Sequence, residues 1–310
     1  MQVITRRSAL TPLLLRLRAE GHTIGFVPTM GALHEGHISL VAESRQRASI
    51  TVASVFVNPT QFNDPADLEK YPRQPEQDAQ MLEKAGCDYL YLPGVEDVYP
   101  NGTQGGPLFD LGGLDTRLEG ASRPGHFAGV AQVVQVLVET AVPDYLCMGQ
   151  KDFQQCMVVQ ALLQQMRAEF DRKAAAAQDT LQESETESLL WTPHHTSLVI
   201  CPIIREAHGL AMSSRNVRLS PELRLRAGAI YATMQYAASL LPVLSIDTIS
   251  QVCTENLNAE PDFKVDYFLL LDAAGLQAVH AQTTEIVIIT AVLVGGVRLL
   301  DNMVVAYPTV

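Results

Sequence analysis

The 310-residue sequence is 47% hydrophobic and 18% charged, a balance that excludes wholesale disorder, collagen and coiled coil and leaves apolar mass for two domains or one large one. Lys plus Arg is 22 and Asp plus Glu is 34; the net charge of -12 argues against bulk attraction to nucleic acid or anionic lipid. A local phosphate ligand remains compatible with that charge, because charges beyond about 8 Å are largely screened at physiological salt.

The N-terminal stretch lacks the unbroken apolar core of a secretory signal, because Arg6, Arg7, Arg16 and Arg18 interrupt its leucines. The longest apolar runs, such as Ile286 to Val294, are about half the roughly 20 residues that a membrane-spanning helix needs. The reading is a cytoplasmic protein. Along the first half, short β-rich runs at Thr23 to Val27, Ile50 to Val57, Asp88 to Leu92 and Tyr145 to Met148 alternate with helix-compatible spacing at Ile38 to Ala48, Glu76 to Ala85 and Phe127 to Val138. That alternation predicts βαβ units and a parallel sheet, in which ligands bind beyond the C-terminal strand ends. From about 168 to 193 the chain turns charged and rich in Ala and Gln, which reads as a solvated helix or an insert. Strand character resumes at Ser197 to Ile204. Beyond Ser220 two helical patterns and two strand-like runs, Val265 to Leu271 and Ile286 to Val294, suffice for a small α+β second domain. The five cysteines, Cys87, Cys147, Cys156, Cys201 and Cys253, have neither metal nor disulfide spacing and read as reduced core thiols.

Three polar loops carry candidate chemistry. In PTMGALHEGH (28–37), His34 and His37 stand three residues apart beside Gly31 and Gly36. A helix starting near Gly36 would turn its first N–H groups and dipole towards the loop, a site for phosphate, with the imidazoles as further donors. On spacing alone the pair could also be half of a metal site, although no third ligand lies nearby, or simply two surface histidines in a turn. In GQKDFQQ (149–155), Lys151 could reach a phosphate as a point charge, and Gln155, one helical turn on, could face the same cavity. The loop GLAMSSRN (209–216) offers two hydroxyls and the Arg215 guanidinium, a set that can clamp a triphosphate while staying mobile. None is a Walker loop and no GxGxxG follows a strand, so each is weak by itself; together they suggest nucleotide chemistry on an α/β sheet.

The His34-x-x-His37 loop resembles the HIGH-type signature, and Met212-Ser213-Ser214-Arg215 the KMSKS-type signature, of the adenylate-forming nucleotidylyltransferase superfamily. More narrowly, PTMGALHEGH, SVFVNPTQF (54–62), YPR (71–73), RPGHF (123–127), KDFQQ (151–155), GLAMSSRN and RLLDN (298–302) resemble, in order and over nearly the whole chain, the pantothenate synthetase (pantoate–β-alanine ligase) family. The resemblance implies a Rossmann-like parallel-sheet domain over 1–203 and a smaller C-terminal α+β lid domain over 204–310. It implies ATP-dependent condensation of pantoate with β-alanine through pantoyl adenylate, with AMP and pyrophosphate released, Mg²⁺ arriving on the ATP phosphates rather than on protein ligands, and a homodimer.

Carried over residue by residue, the resemblance implies an ATP site made by Met30, Gly31, Ala32, Leu33, His34, Glu35, Gly36 and His37, by Gly149, Gln150, Lys151 and Asp152, by Ile204 at adenine, and by Met212, Ser213, Ser214 and Arg215. His34, His37, Lys151 and Arg215 would carry the chemistry. Gln61 and Gln155 would hold pantoate's oxygens, Asn58 and Arg123 would complete the polar wall, and Phe62, Val133 and Val134 would face the gem-dimethyl group. Taken alone, Val133 and Val134 read as core. The chain departs from the family's usual residues at Ala128, Val136, Gln150 and His208, none of them a phosphate residue. Competing readings are a nucleotidylyltransferase that stops at AMP transfer and a nucleotide-binding member without catalysis. Paired glutamines beside apolar residues favour a small dihydroxy acid as acceptor, and retention of every phosphate-reactive group favours catalysis.

Overall fold

The computed structural model describes residues 1–63, 68–103, 109–177 and 196–307. Two compact units emerge, one of Met1–Leu33, His37–Gly149 and Gln155–Cys201, the other of His34–Gly36, Gln150–Gln154 and Pro202–Val310.

Among the described residues the first unit holds a parallel six-stranded sheet. Its strands are β1 (Gln2–Ile4), β2 (Ile24–Thr29), β3 (Ile50–Val55), β4 (Tyr89–Tyr91), β5 (Tyr145–Gly149) and β6 (Ser197–Cys201), in the order β1-β4-β3-β2-β5-β6. Phe26 and Val27 point to opposite faces of β2 and both are fully buried, so both faces are covered, as a parallel sheet requires. On one face Val27 packs in a cluster with Leu40 and Val41 of α2 (Glu35–Arg47) and Leu82 of α3 (Pro75–Lys84). Helix α2 approaches β2 closely: a Cβ on Gly25 would stand 2.1 Å from Ser44 Oγ. Helix α1 (Arg7–Ala19) is joined to α4 (His126–Ala141) by a hydrogen bond from Thr11 Oγ1 to the Thr140 carbonyl, 2.8 Å. Helix α4 buries Phe127, Val130, Ala131, Val134, Leu137, Val138 and Ala141, an apolar surface wider than the single stripe of a surface helix. Helix α5 (Phe153–Ala177) covers the start of the expected 168–193 insert; residues 178–193 of it lie outside the described residues.

Two expected strands end early for local reasons. The run expected to Val57 stops at Val55, where Phe56 N–H bonds the Thr29 carbonyl and the chain turns into the 3₁₀ segment Pro59–Gln61. The run expected to Ile204 stops at Cys201, because Pro202 has no N–H to give a ladder.

The second unit packs α6 (Pro221–Arg226), α7 (Ala229–Leu240) and α8 (Ile246–Asn258) with an antiparallel sheet of β7 (Phe263–Asp272), β8 (Glu285–Val294) and β9 (Val297–Ala306), in that order. Its core gathers Ile230, Met234, Ile249, Cys253, Phe268, Ile288, Val292 and Leu299. Strand β9 goes beyond the two strand-like runs read in this region. It is set by Gly295 and Gly296, both at positive φ (54° and 81°), which form the two-residue hairpin turn that pairs Val294 with Val297. All five cysteines are free and buried, and no helix among the described residues is long and apolar enough to cross a membrane.

Phe26 is fully buried in the central strand, so Phe26→Ala should cost about 3–5 kcal/mol, read as a lowered midpoint in urea unfolding with little change in slope.

Candidate active site

The chain leaves β2 for β3 and β4 on one side and returns to β5 on the other, so strand order reverses between β2 and β5. Ligands of doubly wound sheets bind beyond the C-terminal ends of the strands at such a reversal. Strand β2 leads into residues 30–34 and β5 into the 3₁₀ turn Gln150–Asp152. Two of the three candidate loops thus leave the reversal point directly.

The loop after β2 turns back through two positive-φ residues, Gly31 (81°) and Ala32 (51°). The non-glycine member is strained and needs support. Buried Asp78 on α3 supplies it: Oδ2 accepts Ala32 N–H at 3.0 Å and Oδ1 accepts Leu33 N–H at 2.8 Å. The Thr29 hydroxyl donates to the Ser54 carbonyl (2.7 Å) and accepts Gly31 N–H (3.2 Å). Met30 Sδ accepts from Gln61 Nε2 at 2.8 Å. Sequence reasoning missed Asp78, five residues beyond the YPR motif that it singled out.

Helix α2 begins at Glu35, immediately after His34, and places half-buried His37 in its first turn, where backbone N–H groups and the helix dipole favour an anion. Gly36 N–H donates to His34 Nδ1 at 3.1 Å, which leaves the imidazole proton on Nε2. Burial, and then the positive charge of Lys151, hold His34 below the ordinary histidine value, outweighing the opposite pull of Asp152. His34 is therefore a neutral Nε2–H donor near neutral pH. A Cβ on Gly36 would meet His34 Cε1 at 2.9 Å, so a bare backbone lets the ring lie where it does.

Three of the expected acid-binding residues, Asn58, Gln61 and Arg123, form a hydrogen-bonded cluster in the first unit. Asn58, 1% exposed, donates both amide hydrogens, to Gln61 Oε1 (3.2 Å) and the Gly129 carbonyl (3.1 Å). Its Oδ1 accepts from Thr60 N (3.3 Å), Thr60 Oγ1 (3.0 Å) and the Tyr99 hydroxyl (2.9 Å). With both donors committed, Asn58 acts on Gln61 rather than offering a spare hydrogen to a ligand. The Gln61 carbonyl receives Arg123 Nη2 at 3.2 Å and His126 Nδ1 at 2.8 Å, while Arg123 Nη1 donates to His126 Nε2 at 3.1 Å. That pattern makes His126 a neutral Nδ1–H tautomer. His126 and Tyr99 were not among the expected site residues, although His126 sits inside the RPGHF motif. The Pro59–Gln61 turn lies tight on α4: a Cβ on Gly129 would stand 2.5 Å from the Thr60 carbonyl oxygen. Phe62 packs edge-on against Tyr71, centroids 5.7 Å apart. Val133 and Val134 are both 5% exposed on α4, and Gln155 is half-buried in the first turn of α5.

In the second unit, Lys151 is partly buried with Nζ 3.4 Å from the exposed Asp152 carboxylate, and Gln150 Nε2 donates to Asn302 Oδ1 at 3.1 Å. The segment 204–212 is a small hairpin: Arg205 bridges Ala211 and Met212 N–H reaches the Ile204 carbonyl at 2.9 Å. It delivers Ser213, whose Oγ accepts Arg215 N–H (3.2 Å) and keeps its own hydrogen to donate, followed by half-buried Ser214 and exposed Arg215. His208, one of the departures, bonds the Arg224 carbonyl through Nε2 at 2.7 Å, a structural tie near that hairpin. Among the described residues no group of three His, Cys, Asp or Glu side chains is placed to hold a metal ion.

A family model described as pantoate-beta-alanine ligase matches residues 2–184 and 190–304. The chain is 42% identical over 305 residues to the pantothenate synthetase of Porphyromonas gingivalis, covering 98% of this chain and 99% of that one. It is 38% identical over 292 residues to that of Cytophaga hutchinsonii, covering 93% of each. Among solved structures it is similar to the pantothenate synthetase of Thermus thermophilus, with a TM-score of 0.81 at 34% identity over 98% of this chain and 99% of that one. It is also similar to a pantoate-beta-alanine ligase of Francisella tularensis complexed with beta-gamma ATP and beta-alanine, with a TM-score of 0.71 at 30% identity over 98% and 97%.

In NMR, His34 should show a bare Nδ1, a protonated Nε2 and a midpoint below the ordinary 6.5. Asp78→Asn turns an acceptor into a donor facing a backbone N–H, and should cost about 1–3 kcal/mol in denaturant unfolding.

Proposed function

The chain belongs to the pantoate–β-alanine ligase family, and from that premise we propose how its own residues carry the reaction. It is an ATP-dependent ligase that joins pantoate to β-alanine: the carboxylate attacks the α-phosphate of ATP to give pantoyl adenylate and pyrophosphate, and the amine then displaces AMP. A free carboxylate is a poor electrophile, whereas a mixed anhydride has a good leaving group. The protein's task is therefore positioning, charge stabilisation at phosphorus and exclusion of water from the adenylate.

The observation that carries the assignment is the reversal of the sheet between β2 and β5, from which the His34–His37 loop and the Lys151 turn both depart. Phosphate oxygens are held by the first N–H groups of α2, with His34 donating from Nε2 and His37 from the first turn. Being neutral, His34 contributes a directed hydrogen bond rather than charge. Lys151 supplies the positive charge opposite the negative charge that builds between α-phosphate and pyrophosphate. Ser213, Ser214 and Arg215 close on the β- and γ-phosphates, with residues 204–310 acting as the lid domain; Gly149 and Asp152 frame adenosine and Ile204 meets adenine.

Gln61 and Gln155 hold the hydroxyl and carboxylate oxygens of pantoate. Asn58, Arg123 and His126 position Gln61 from behind, by its side-chain oxygen and its carbonyl, and Phe62, Val133 and Val134 form the apolar side. Mg²⁺ enters as the MgATP complex, ligated mainly by phosphate oxygens. The active species is a homodimer through the first domain, a reading that rests on the family alone.

The test is adenylation in single turnover with MgATP and pantoate, followed by pantothenate formation on adding β-alanine. Lys151→Ala and His37→Ala should each lose adenylation by about a hundredfold or more. Near-normal rates at saturating ATP would remove both from the mechanism. Gln61→Ala should act chiefly on the KM for pantoate and leave the KM for ATP within about threefold.

A further inference from the structure

The segment RLLDN (298–302) has no part in the chemistry assigned above, yet it ends in two adjacent polar residues buried on a strand: Asp301 is 4% exposed and Asn302 1%. Successive strand residues face opposite sides, so the two side chains reach different partners. Asn302 Nδ2 donates to the carbonyls of Gln150 (2.9 Å) and Lys151 (3.0 Å), and its Oδ1 accepts Gln150 Nε2 at 3.1 Å. Those two carbonyls belong to the peptide units on either side of the Lys151 Cα. Because peptide units are planar and rigid, holding both fixes φ and ψ of Lys151 and with them the direction in which its side chain leaves the backbone.

Asp301 grips the other phosphate-handling segment. It accepts Arg205 Nη1 at 2.6 Å and Nη2 at 2.9 Å in a bidentate pair, and its Oδ1 also accepts the Asn302 N–H at 2.8 Å. The Arg205 guanidinium is stacked 3.6 Å over the Tyr231 ring and donates to the Gly209 carbonyl, which closes the 204–212 hairpin that delivers Ser213 to Arg215. Two consecutive residues of one strand thus hold the backbone of the lysine turn and the base of the serine–arginine segment.

We propose that Asn302 is a positioning residue for Lys151 in the adenylation step, and that Asp301 and Asn302 together keep the Lys151 turn in register with the Ser213–Arg215 segment. The inference rests on the role given to Lys151 above. Asn302 touches no reacting atom; it acts through the lysine. A misplacement of a catalytic group by about 1 Å can cost on the order of a hundredfold in rate.

The experiment is a double-mutant cycle on pantoate-dependent ATP–pyrophosphate exchange by the full-length enzyme, with Asn302→Asp, Asn302→Ser and Lys151→Ala alone and combined. Asn302→Asp keeps the shape, removes both donors and turns acceptors towards two carbonyls; Asn302→Ser keeps one donor and gives a second reading if the first variant does not fold. The expected result is a fall in kcat of about tenfold to a hundredfold with the KM for pantoate within about threefold, and no further loss when Lys151 is already Ala. Losses that multiply in the double variant, or an Asn302→Ser enzyme with normal kcat, would overturn the positioning role. Near-normal exchange by Lys151→Ala would instead defeat the assignment of Lys151, and this inference with it.

Discussion

Chain direction in a parallel sheet constrains where chemistry can happen. Every strand of the first unit runs the same way, so all C-terminal ends meet one edge, and only beside β2 do the connections part to opposite sides. The loop after β2 and the turn after β5 are the segments that this reversal frees from covering helices. Each must then hold an irregular backbone without a sheet ladder to satisfy its polar groups, a demand met by side chains from elsewhere in the chain.

Two buried side chains meet that demand, and a third holds Gln61 in the same manner. Asp78 takes two successive N–H groups of the loop after β2, Asn302 gives to two successive carbonyls of the turn after β5, and Asn58 uses its amide to tie Gln61 to α4. Burying such groups unpaired would cost free energy; paired at short distances they hold one backbone geometry against the alternatives. Preorganisation of this kind matters in an adenylating enzyme, since most of what the protein adds is the placement of donors and cations around phosphorus. The neutral state of His34 belongs to the same logic: burial and Lys151 hold the proton off Nδ1, which is free to receive Gly36 N–H, and the ring then presents a single donor.

The legible features in the sequence were those with local signals. Strand and helix periodicity located β2 to β6 and α2 to α4, because apolar spacing reports a buried face directly. The loops after β2 and β5 stood out as polar residues following strands. Strand β9 did not stand out, since Asp301 and Asn302 break its apolar run, although Gly295-Gly296 between two apolar stretches was a usable hairpin signal. Asp78 and His126 look like an ordinary surface acid and an ordinary loop histidine until their partners 45 and 65 residues away are known.

The sequence by itself determined the fold class and the family, because alternation, turn glycines and motif spacing are written along the chain. Only the tertiary structure decided which nitrogen of His34 carries the proton, that both hydrogens of Asn58 are already committed, and that the RLLDN strand holds the lysine turn. Hydrogen-bond capacity and charge state are set by neighbours in space, and those neighbours come from distant parts of the chain.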